Sequence, residues 1–267
     1  MVLSDSMSFH GPEGPVPLDE PRTYPNRLGE QLSVLTDRPW AVDVWGRAGF
    51  GVRELWLALQ KDVHLQQQLL MNADAVALAI GSADQLSIAV PRWVMMALPY
   101  LRPTSLRREV RRRIDHLHPA ATRLSRGRMR FTPPDVIDHC FTKSVDAVRL
   151  FAGADVPLVG VLPPFHRTVY YGGLTTHHEA THARFRRLGE QRDVAMVDLA
   201  AFTRDRLDEL NPDGAHWSWA IHDDVATAMA QALHGQMPDR APGAAPGLPP
   251  GPTHLIPPPD GWWSGRQ

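Results

Sequence analysis

The sequence of 267 residues has one cysteine and no long apolar run. Because Cys140 is the only cysteine, an internal disulfide is excluded, and nothing requires an oxidising compartment. No stretch reaches 18 consecutive apolar residues, so the sequence predicts no membrane-spanning helix. An apolar run begins directly after Met1 and leaves no room for a secretory leader. We therefore expect a cytoplasmic protein.

An excess of charge of one sign is also lacking. The chain carries 28 Lys and Arg against 29 Asp and Glu, and its sequence pI is about 6.9. This balance gives the whole molecule no attraction to nucleic acid or to an anionic membrane. The length suits one large α/β domain rather than two domains. We expect small molecules as partners.

Five apolar runs of strand length alternate with stretches of helical periodicity. The first run starts at Val2, and the others cover residues 41–45, 75–80, 156–162 and 194–199. Helical spacing covers residues 26–35, 52–70, 132–151, 175–191 and 219–233. Strands that alternate with helices form a parallel sheet with right-handed crossovers. The pattern predicts a flavodoxin-like, three-layer α/β sandwich around a five-stranded parallel sheet.

Two regions depart from this alternation. Residues 102–130 contain ten arginines but only Glu109 and Asp115 as carboxylates. We predict a helical insertion that partly covers a site. It is either a solvated helical face or a binding surface for the phosphates of a ligand. A nucleic-acid site is a weaker third interpretation, because no aromatic residues alternate with the arginines.

The second region is the C-terminal end. Residues 237–267 are rich in Pro, Gly and Ala and lack apolar periodicity, which is typical of a disordered tail. We therefore expect one folded domain over residues 1–236.

A serine follows the first apolar run. Ser4-Asp5-Ser6-Met7-Ser8 predicts a turn from strand to helix, where a hydroxyl and a backbone N–H face a ligand together. Ser6 is a candidate nucleophile there, although a serine at this position can also simply cap a helix.

A candidate base lies some two hundred residues later. In the turn-rich segment 211–216, Asp213 and His216 stand three positions apart. In Ser-His-Asp chemistry His216 would take the proton of Ser6, and Asp213 would orient the imidazole. Both could instead belong to an ordinary surface turn. Their joint occurrence with Ser6 favours nucleophilic catalysis.

Glycines and arginines cluster after the second run. Three glycines in residues 46–51 let the backbone approach a ligand closely. Arg47 and Arg53 flank them and are candidates to bind a carboxylate, or else exposed residues at the start of a helix. Trp217 directly follows the candidate base and is a candidate substrate contact.

Together these motifs resemble the sequence blocks of the SGNH (GDSL-type) hydrolase superfamily. The first block is matched by residues 4–8, with Ser4 where the usual glycine stands. Gly49 falls at the second block, Gly81-Ser82-Ala83-Asp84 at the third, and Asp213-x-x-His216 at the fifth. The resemblance spans about residues 2–235. It implies a Ser6-His216-Asp213 triad, with the backbone N–H groups of Ser6 and Gly49 in the oxyanion hole.

Within that superfamily the chain is most similar to the diglucosylglycerate octanoyltransferase family. The similarity is carried by Ser-Asp-Ser-Met-Ser with its Gly-Pro loop, Gly46-Arg47-x-Gly49 with Arg53, Tyr100-x-Arg102-Pro103, and Asn211-Pro212-Asp213-Gly214-x-His216-Trp217. It implies octanoyl transfer from acyl-coenzyme A (acyl-CoA) to a glucosylated glycerate in methylglucose lipopolysaccharide biosynthesis. No cofactor or metal is implied. Substrate contacts are then expected from Asp5, Arg47, Arg53, Asp84 and Trp217.

One position departs from the superfamily pattern. Its third block normally offers an Asn side chain to the oxyanion, and Ala83 cannot donate. Loss of one such donor costs roughly 100- to 1000-fold in rate. A thioester is a more activated donor than an ester, which mildly favours transfer. An esterase or thioesterase on the same triad and a non-catalytic sugar- or nucleotide-binding protein stay open as alternatives.

A zinc-protease pattern is also present. His178-Glu179-Ala180-Thr181-His182 matches H-E-x-x-H, which on a helix places two histidines on one face. The extended form of the motif fails at Phe185 and Leu188, and the sequence offers no third ligand. We therefore expect these histidines on a helix near the mouth of the site rather than on a metal.

Overall fold

Five short strands form one parallel sheet in the computed structural model. The model describes residues 1–237, without the side chains of Arg92 and Met96. The strands are β1 (Val2–Ser4), β4 (Val44–Gly46), β5 (Val76–Ala79), β8 (Leu158–Leu162) and β9 (Ala195–Asp198). They lie side by side in the order β4-β1-β5-β8-β9. The predicted α/β class with a five-stranded parallel sheet is confirmed.

Two antiparallel pairs and eight α-helices complete the described part of the chain. The pairs are β2 (His10–Gly11) with β3 (Gly14–Pro15), and β6 (Ser87–Ile88) with β7 (Met129–Arg130). The helices are α1 (Tyr24–Thr36), α2 (Val52–Lys61), α3 (Arg92–Ala97), α4 (Thr104–Leu124), α5 (Pro134–Ala152), α6 (His178–Gln191), α7 (Ala200–Thr203) and α8 (Trp219–His234). None of the helices within residues 1–237 is long and apolar enough to cross a membrane.

Alternate side chains of each strand enter two separate cores. In β5, Ala77 and Ala79 pack on the side of α1 and α8, whereas Val76 and Leu78 pack on the side of α2 and α5. A strand covered on both faces carries apolar residues at every position. This explains the continuous apolar run of residues 75–80 and gives the three predicted layers.

The strand order fixes where a ligand can bind. The chain passes from β1 to β4 on one side and then to β5 on the other side of β1. Ligands of open parallel sheets bind outside the carboxyl ends of the strands at such a reversal. The turn that carries Ser6 follows β1 directly, so it lies at that edge.

The arginine-rich region forms an insertion between β5 and α5. The whole insertion is longer than residues 102–130, since it also contains α3 and β6. The 21-residue α4 lies in the arginine-rich part, and the β6–β7 register joins Ser87 to Arg130 and Ile88 to Met129. The helix predicted over residues 52–70 is interrupted, since α2 ends at Lys61 and Asp62 accepts the N–H of Leu65 at 3.0 Å. Apart from Met237, the predicted tail lies outside the described residues.

Candidate active site

Ser6 begins a tight turn that β1 and Asp5 position. Asp5 Oδ1 accepts the N–H of Met7 at 3.0 Å, and Phe9 N–H donates to the Ser6 carbonyl at 3.2 Å. Asp5 is buried, and that burial raises its pKa to about 6. Its carboxylate therefore shapes the turn from inside, which does not fit the predicted substrate contact.

The segment with Asp213 and His216 forms a compact loop before α8. Asn211 N–H donates to the His216 carbonyl at 2.9 Å, and Asp213 N–H donates to the Asn211 side chain at 3.0 Å. Asp213 Oδ1 in turn accepts the N–H groups of Ala215 and His216, at 2.7 and 3.1 Å. These bonds hold both side chains of the predicted pair in fixed positions.

The structure brings Ser6, His216 and Asp213 together. The Ser6 hydroxyl lies 2.8 Å from His216 Nε2, and His216 Nδ1 lies 2.5 Å from Asp213 Oδ2. Because a carboxylate only accepts, Nδ1–H is the donor and Nε2 is left to accept from the serine. Burial works against ionisation of Asp213, but the hydrogen bonds that it accepts from the His216 ring and from the backbone N–H groups of Ala215 and His216 outweigh it and hold the pKa of Asp213 well below its usual range. This is the connectivity that lets a serine lose its proton to a histidine.

A second histidine touches the candidate base, which sequence reasoning missed. The rings of His10 and His216 are stacked, and the His10 carbonyl accepts Nε2–H of His222 at 2.9 Å. Since Tyr24 N–H donates to His222 Nδ1, the tautomer of His222 is fixed as well. No pattern along the chain indicates this cluster, because His10 and His222 are 212 residues apart.

Gly49 occupies a turn that closes when Phe50 N–H donates to the Arg47 carbonyl at 3.2 Å. Its φ of +71° lies in the left-handed region that favours glycine. Gly49 is exposed and has no side chain that would block a ligand, so its backbone N–H can face one. Arg47 is half-buried, and the Arg53 guanidinium is 38% exposed and 4.0 Å from Glu54. Both arginines thus lie in the segment that carries this turn.

Two predicted substrate contacts lie in the interior instead. Asp84 is fully buried, with Oδ2 accepting Val52 N–H at 2.9 Å and Oδ1 accepting the Thr132 hydroxyl at 2.5 Å. Burial also raises the pKa of Asp84 to about 6. Trp217 is 1% exposed and packs against Tyr24 and the core under α8. Asp84 supports the start of α2, and Trp217 is a core residue; neither reaches a substrate in this arrangement.

The H-E-x-x-H side chains are engaged by protein groups. His178 Nδ1 lies 2.6 Å from Gln85 Oε1, and His182 Nε2 lies 2.9 Å from Asp198. Glu179 is 75% exposed and 3.6 Å from Arg204. No group of three or more metal-ligating side chains occurs within residues 1–237. The helix predicted for this motif is present as α6, but its geometry does not assemble a metal site.

Two curated proteins are similar to almost the whole chain. A diglucosylglycerate octanoyltransferase of Mycolicibacterium hassiacum is 33% identical over 235 residues, which cover 87% of this chain and 93% of that protein. The diglucosylglycerate octanoyltransferase of Mycobacterium tuberculosis is 30% identical over 235 residues, or 87% and 91% of the two chains. No protein-family model matches the sequence.

The chain belongs to the diglucosylglycerate octanoyltransferase family. The resemblance to this family predicted from the motifs is therefore confirmed, and the chain is an acyltransferase.

Solved structures agree with this assignment at the level of the fold. A lipase/acylhydrolase from Enterococcus faecalis superposes with a TM-score of 0.59 at 13% identity, over 90% of this chain and 98% of that one. An acetylxylan esterase from Geobacillus stearothermophilus gives a TM-score of 0.52 at 17% identity, over 87% and 92%. This chain thus has the same fold as these two hydrolases.

Proposed function

We propose that this enzyme moves an octanoyl group from acyl-CoA to a glucosylated glycerate through an acyl-enzyme on Ser6. The observation that carries the proposal is the unbroken chain of hydrogen bonds from the Ser6 hydroxyl through His216 to Asp213. The names of the two relatives support the octanoyl group and diglucosylglycerate as acceptor. In this role the enzyme acts in methylglucose lipopolysaccharide biosynthesis, in the cytoplasm.

The first half-reaction transfers the acyl group to the enzyme. Ser6 Oγ attacks the thioester carbonyl while His216 Nε2 takes its proton, and Asp213 stabilises the imidazolium that forms. The tetrahedral intermediate then collapses. Its C–S bond breaks, and the leaving thiolate receives the proton from His216. Ser6 now carries an ester, and His216 is neutral again.

The second half-reaction uses the same base. A sugar hydroxyl of the acceptor gives its proton to His216 as its oxygen attacks the Ser6 ester. When the new intermediate collapses, the proton returns to Ser6 Oγ and the acylated sugar leaves. Transfer exceeds hydrolysis only where the acceptor hydroxyl is held in place and water is kept out.

Backbone groups are proposed to hold the developing oxyanion. The N–H groups of Ser6 and Gly49 are the donors offered by the nucleophile turn and the glycine turn. Ala83 contributes none, and the activated thioester donor makes the first half-reaction less demanding of such donors. Arg47 and Arg53, in the segment of the glycine turn, are proposed to bind the glycerate carboxylate.

Octanoyl-CoA with and without diglucosylglycerate tests the proposal. We expect coenzyme A release that depends on the acceptor, an acylated sugar, and an intact mass of the enzyme raised by one octanoyl group. Ser6→Ala should abolish the mass shift and lower the rate by several orders of magnitude. Equal coenzyme A release with no acylated sugar would instead establish a thioesterase on the same residues. Unchanged behaviour of Ser6→Ala would establish a non-catalytic binding protein.

A further inference from the structure

An apolar groove runs along the arginine-rich helix α4. Val110, Ile114 and Leu117 recur on one face of the helix, as an amphipathic pattern requires, and across the groove this face is opposed by Ala89 and Val90. The groove between them has a volume of about 250 Å³ and almost wholly apolar walls. Leu117 is 59% exposed, so the stripe is not sealed into either core.

Both walls of the groove are tied to the loops of the active site. Ala89 follows Asp84 of the third sequence block by five residues, and its N–H donates to His118 Nε2 of α4 at 3.2 Å. His118 Nδ1–H then donates to the Tyr170 carbonyl at 2.9 Å.

The connection continues from Tyr170 to the loop of the candidate base. Three residues before Tyr170, Arg167 N–H donates at 2.7 Å to the carbonyl of Gly214, which stands between Asp213 and His216. Hydrogen bonds therefore link the groove to the loops after β5 and β8, and through Gly214 to the loop of the candidate base.

We propose that this groove holds the acyl chain of the thioester donor. The volume is below the roughly 300–1,000 Å³ of pockets that enclose drug-sized ligands, which suits a single alkyl chain better than a nucleotide or sugar. The stripe from Val110 to Ala121 covers twelve residues and therefore eleven helical rises, about 16 Å of helix, which is long enough for an extended medium-length chain.

Charge complementarity favours an acyl chain joined to an anionic carrier. Residues 102–130 carry ten arginines against two carboxylates, and Arg113 lines the groove itself. Guanidinium groups are the side chains best suited to bind phosphate. A neutral lipid or an apolar peptide would not need them. Coenzyme A brings phosphates and a thioester-linked chain to the same surface.

The test is the dependence of rate on chain length, and it rests on the proposed function for its donor. With acyl-CoA of four to twelve carbons, kcat/KM of the wild type should rise about fourfold per methylene up to eight carbons, as expected for about 0.8 kcal/mol per buried CH₂. Leu117→Ser and Val90→Ser, on opposite walls, should flatten this rise. Leu124→Ser is the matched control, because Leu124 is an 88% exposed leucine of the same helix outside the groove. The same slope in all four proteins would overturn the proposal.

A binding experiment separates failure of the groove from failure of the chemistry. Titration calorimetry of the Ser6→Ala protein with octanoyl-CoA and with coenzyme A alone needs no turnover. We expect octanoyl-CoA to bind at least tenfold more tightly, and this advantage should be lost when Leu117→Ser, but not Leu124→Ser, is added. Equal affinity for the two ligands would reject the groove even if Ser6 is acylated in the wild type. Absence of acylated Ser6 with the advantage intact would reject the proposed function alone.

Discussion

The imidazole ring of His10 lies parallel to that of His216, with 4.0 Å between ring centroids and 11° between planes. His10 Nδ1–H donates to the Ser6 carbonyl at 3.1 Å, so one side chain contacts both the nucleophile turn and the base. Burial and the neighbouring His216 lower the pKa of His10 to about 4. A neutral ring against His216 fixes its orientation without repelling the imidazolium that forms during acyl transfer.

Substitution of His10 should distinguish the contribution of the ring stacking to the rate from that of the hydrogen bond to Ser6. His10→Phe keeps a ring against His216 but loses the donor to Ser6, and we expect a rate within about tenfold of the wild type. His10→Ala removes both contacts and should cost about 100-fold, the scale of a misplacement of about 1 Å. The measurement is coenzyme A release from octanoyl-CoA, with thermal midpoints to exclude unfolding. Equal rates for the two variants would show that stacking does not position the base.

Substitution of Gly49 distinguishes the effect of backbone strain from the loss of oxyanion binding. The Cβ atom added by Gly49→Ala would meet no atom within 4 Å. The backbone φ of +71° is unfavourable for alanine, however, and should lower the free energy of unfolding by about 1–2 kcal/mol. Because relief of that strain moves the N–H, we expect kcat/KM to fall by about 100-fold. Gly173→Ala is the matched control, with φ of +67° and an equally open Cβ position. The Gly173→Ala variant should lose a similar free energy of unfolding but keep the kcat/KM of the wild type. A parallel loss of rate in both variants would contradict an oxyanion role for Gly49.

Strands and site residues could be predicted from the sequence where a motif or a local hydrophobic period marks them. The continuous apolar run 75–80 indicated a strand covered on both faces, and β5 lies there. Asp213 and His216 were recognisable because three residues of loop bring them into contact. The β2–β3 pair was missed, since two-residue strands in a proline-rich loop have no period to detect.

Burial explains the other differences between sequence and structure. Asp84 and Trp217 belong to the sequence motifs, but their side chains point into the interior. Adjacency in sequence did not reveal this. The stack of His10 on His216 joins residues far apart in the chain, so no local pattern could predict it.

The H-E-x-x-H motif makes a prediction about metals. Gln85 engages only Nδ1 of His178, whose Nε2 has no hydrogen-bond partner among residues 1–237, and His182 Nε2 contacts Asp198. Two histidines alone do not make a zinc site, and no group of three or more metal-ligating side chains occurs in that part of the chain. We expect 1,10-phenanthroline or EDTA to leave the rate of acyl transfer unchanged. Added zinc should not raise the thermal midpoint, and His182→Asn should show the same indifference. Loss of activity on chelation, restored by zinc, would be the contrary result.

Buried titratable groups predict how stability depends on pH. For four of the buried histidines, burial lowers the pKa from 6.5 to about 4. They are His10, His166, His178 and His222. A histidine whose pKa is lowered by folding contributes its full stability at pH values above 6.5, its pKa in the unfolded chain. That stability is lost as the pH falls from there toward the native pKa of about 4. The carboxyls of Asp5 and Asp84 act in the opposite sense between about pH 4 and 6, because burial raises their pKa values.

Near pH 5 the unfolded chain should therefore bind about two more protons than the native protein, since the four histidines outweigh the two carboxyls. The free energy of unfolding should fall by about 2–3 kcal/mol per pH unit on acidification there. Urea denaturation at half-unit steps from pH 7 to 4.5 measures this slope. His166→Phe tests the assignment, because the ring nitrogens of His166 have no hydrogen-bond partner among residues 1–237. That variant should lose about half of the slope without loss of stability at pH 7. A stability that stays flat from pH 7 to 5 would mean that these histidines are protonated in the native protein.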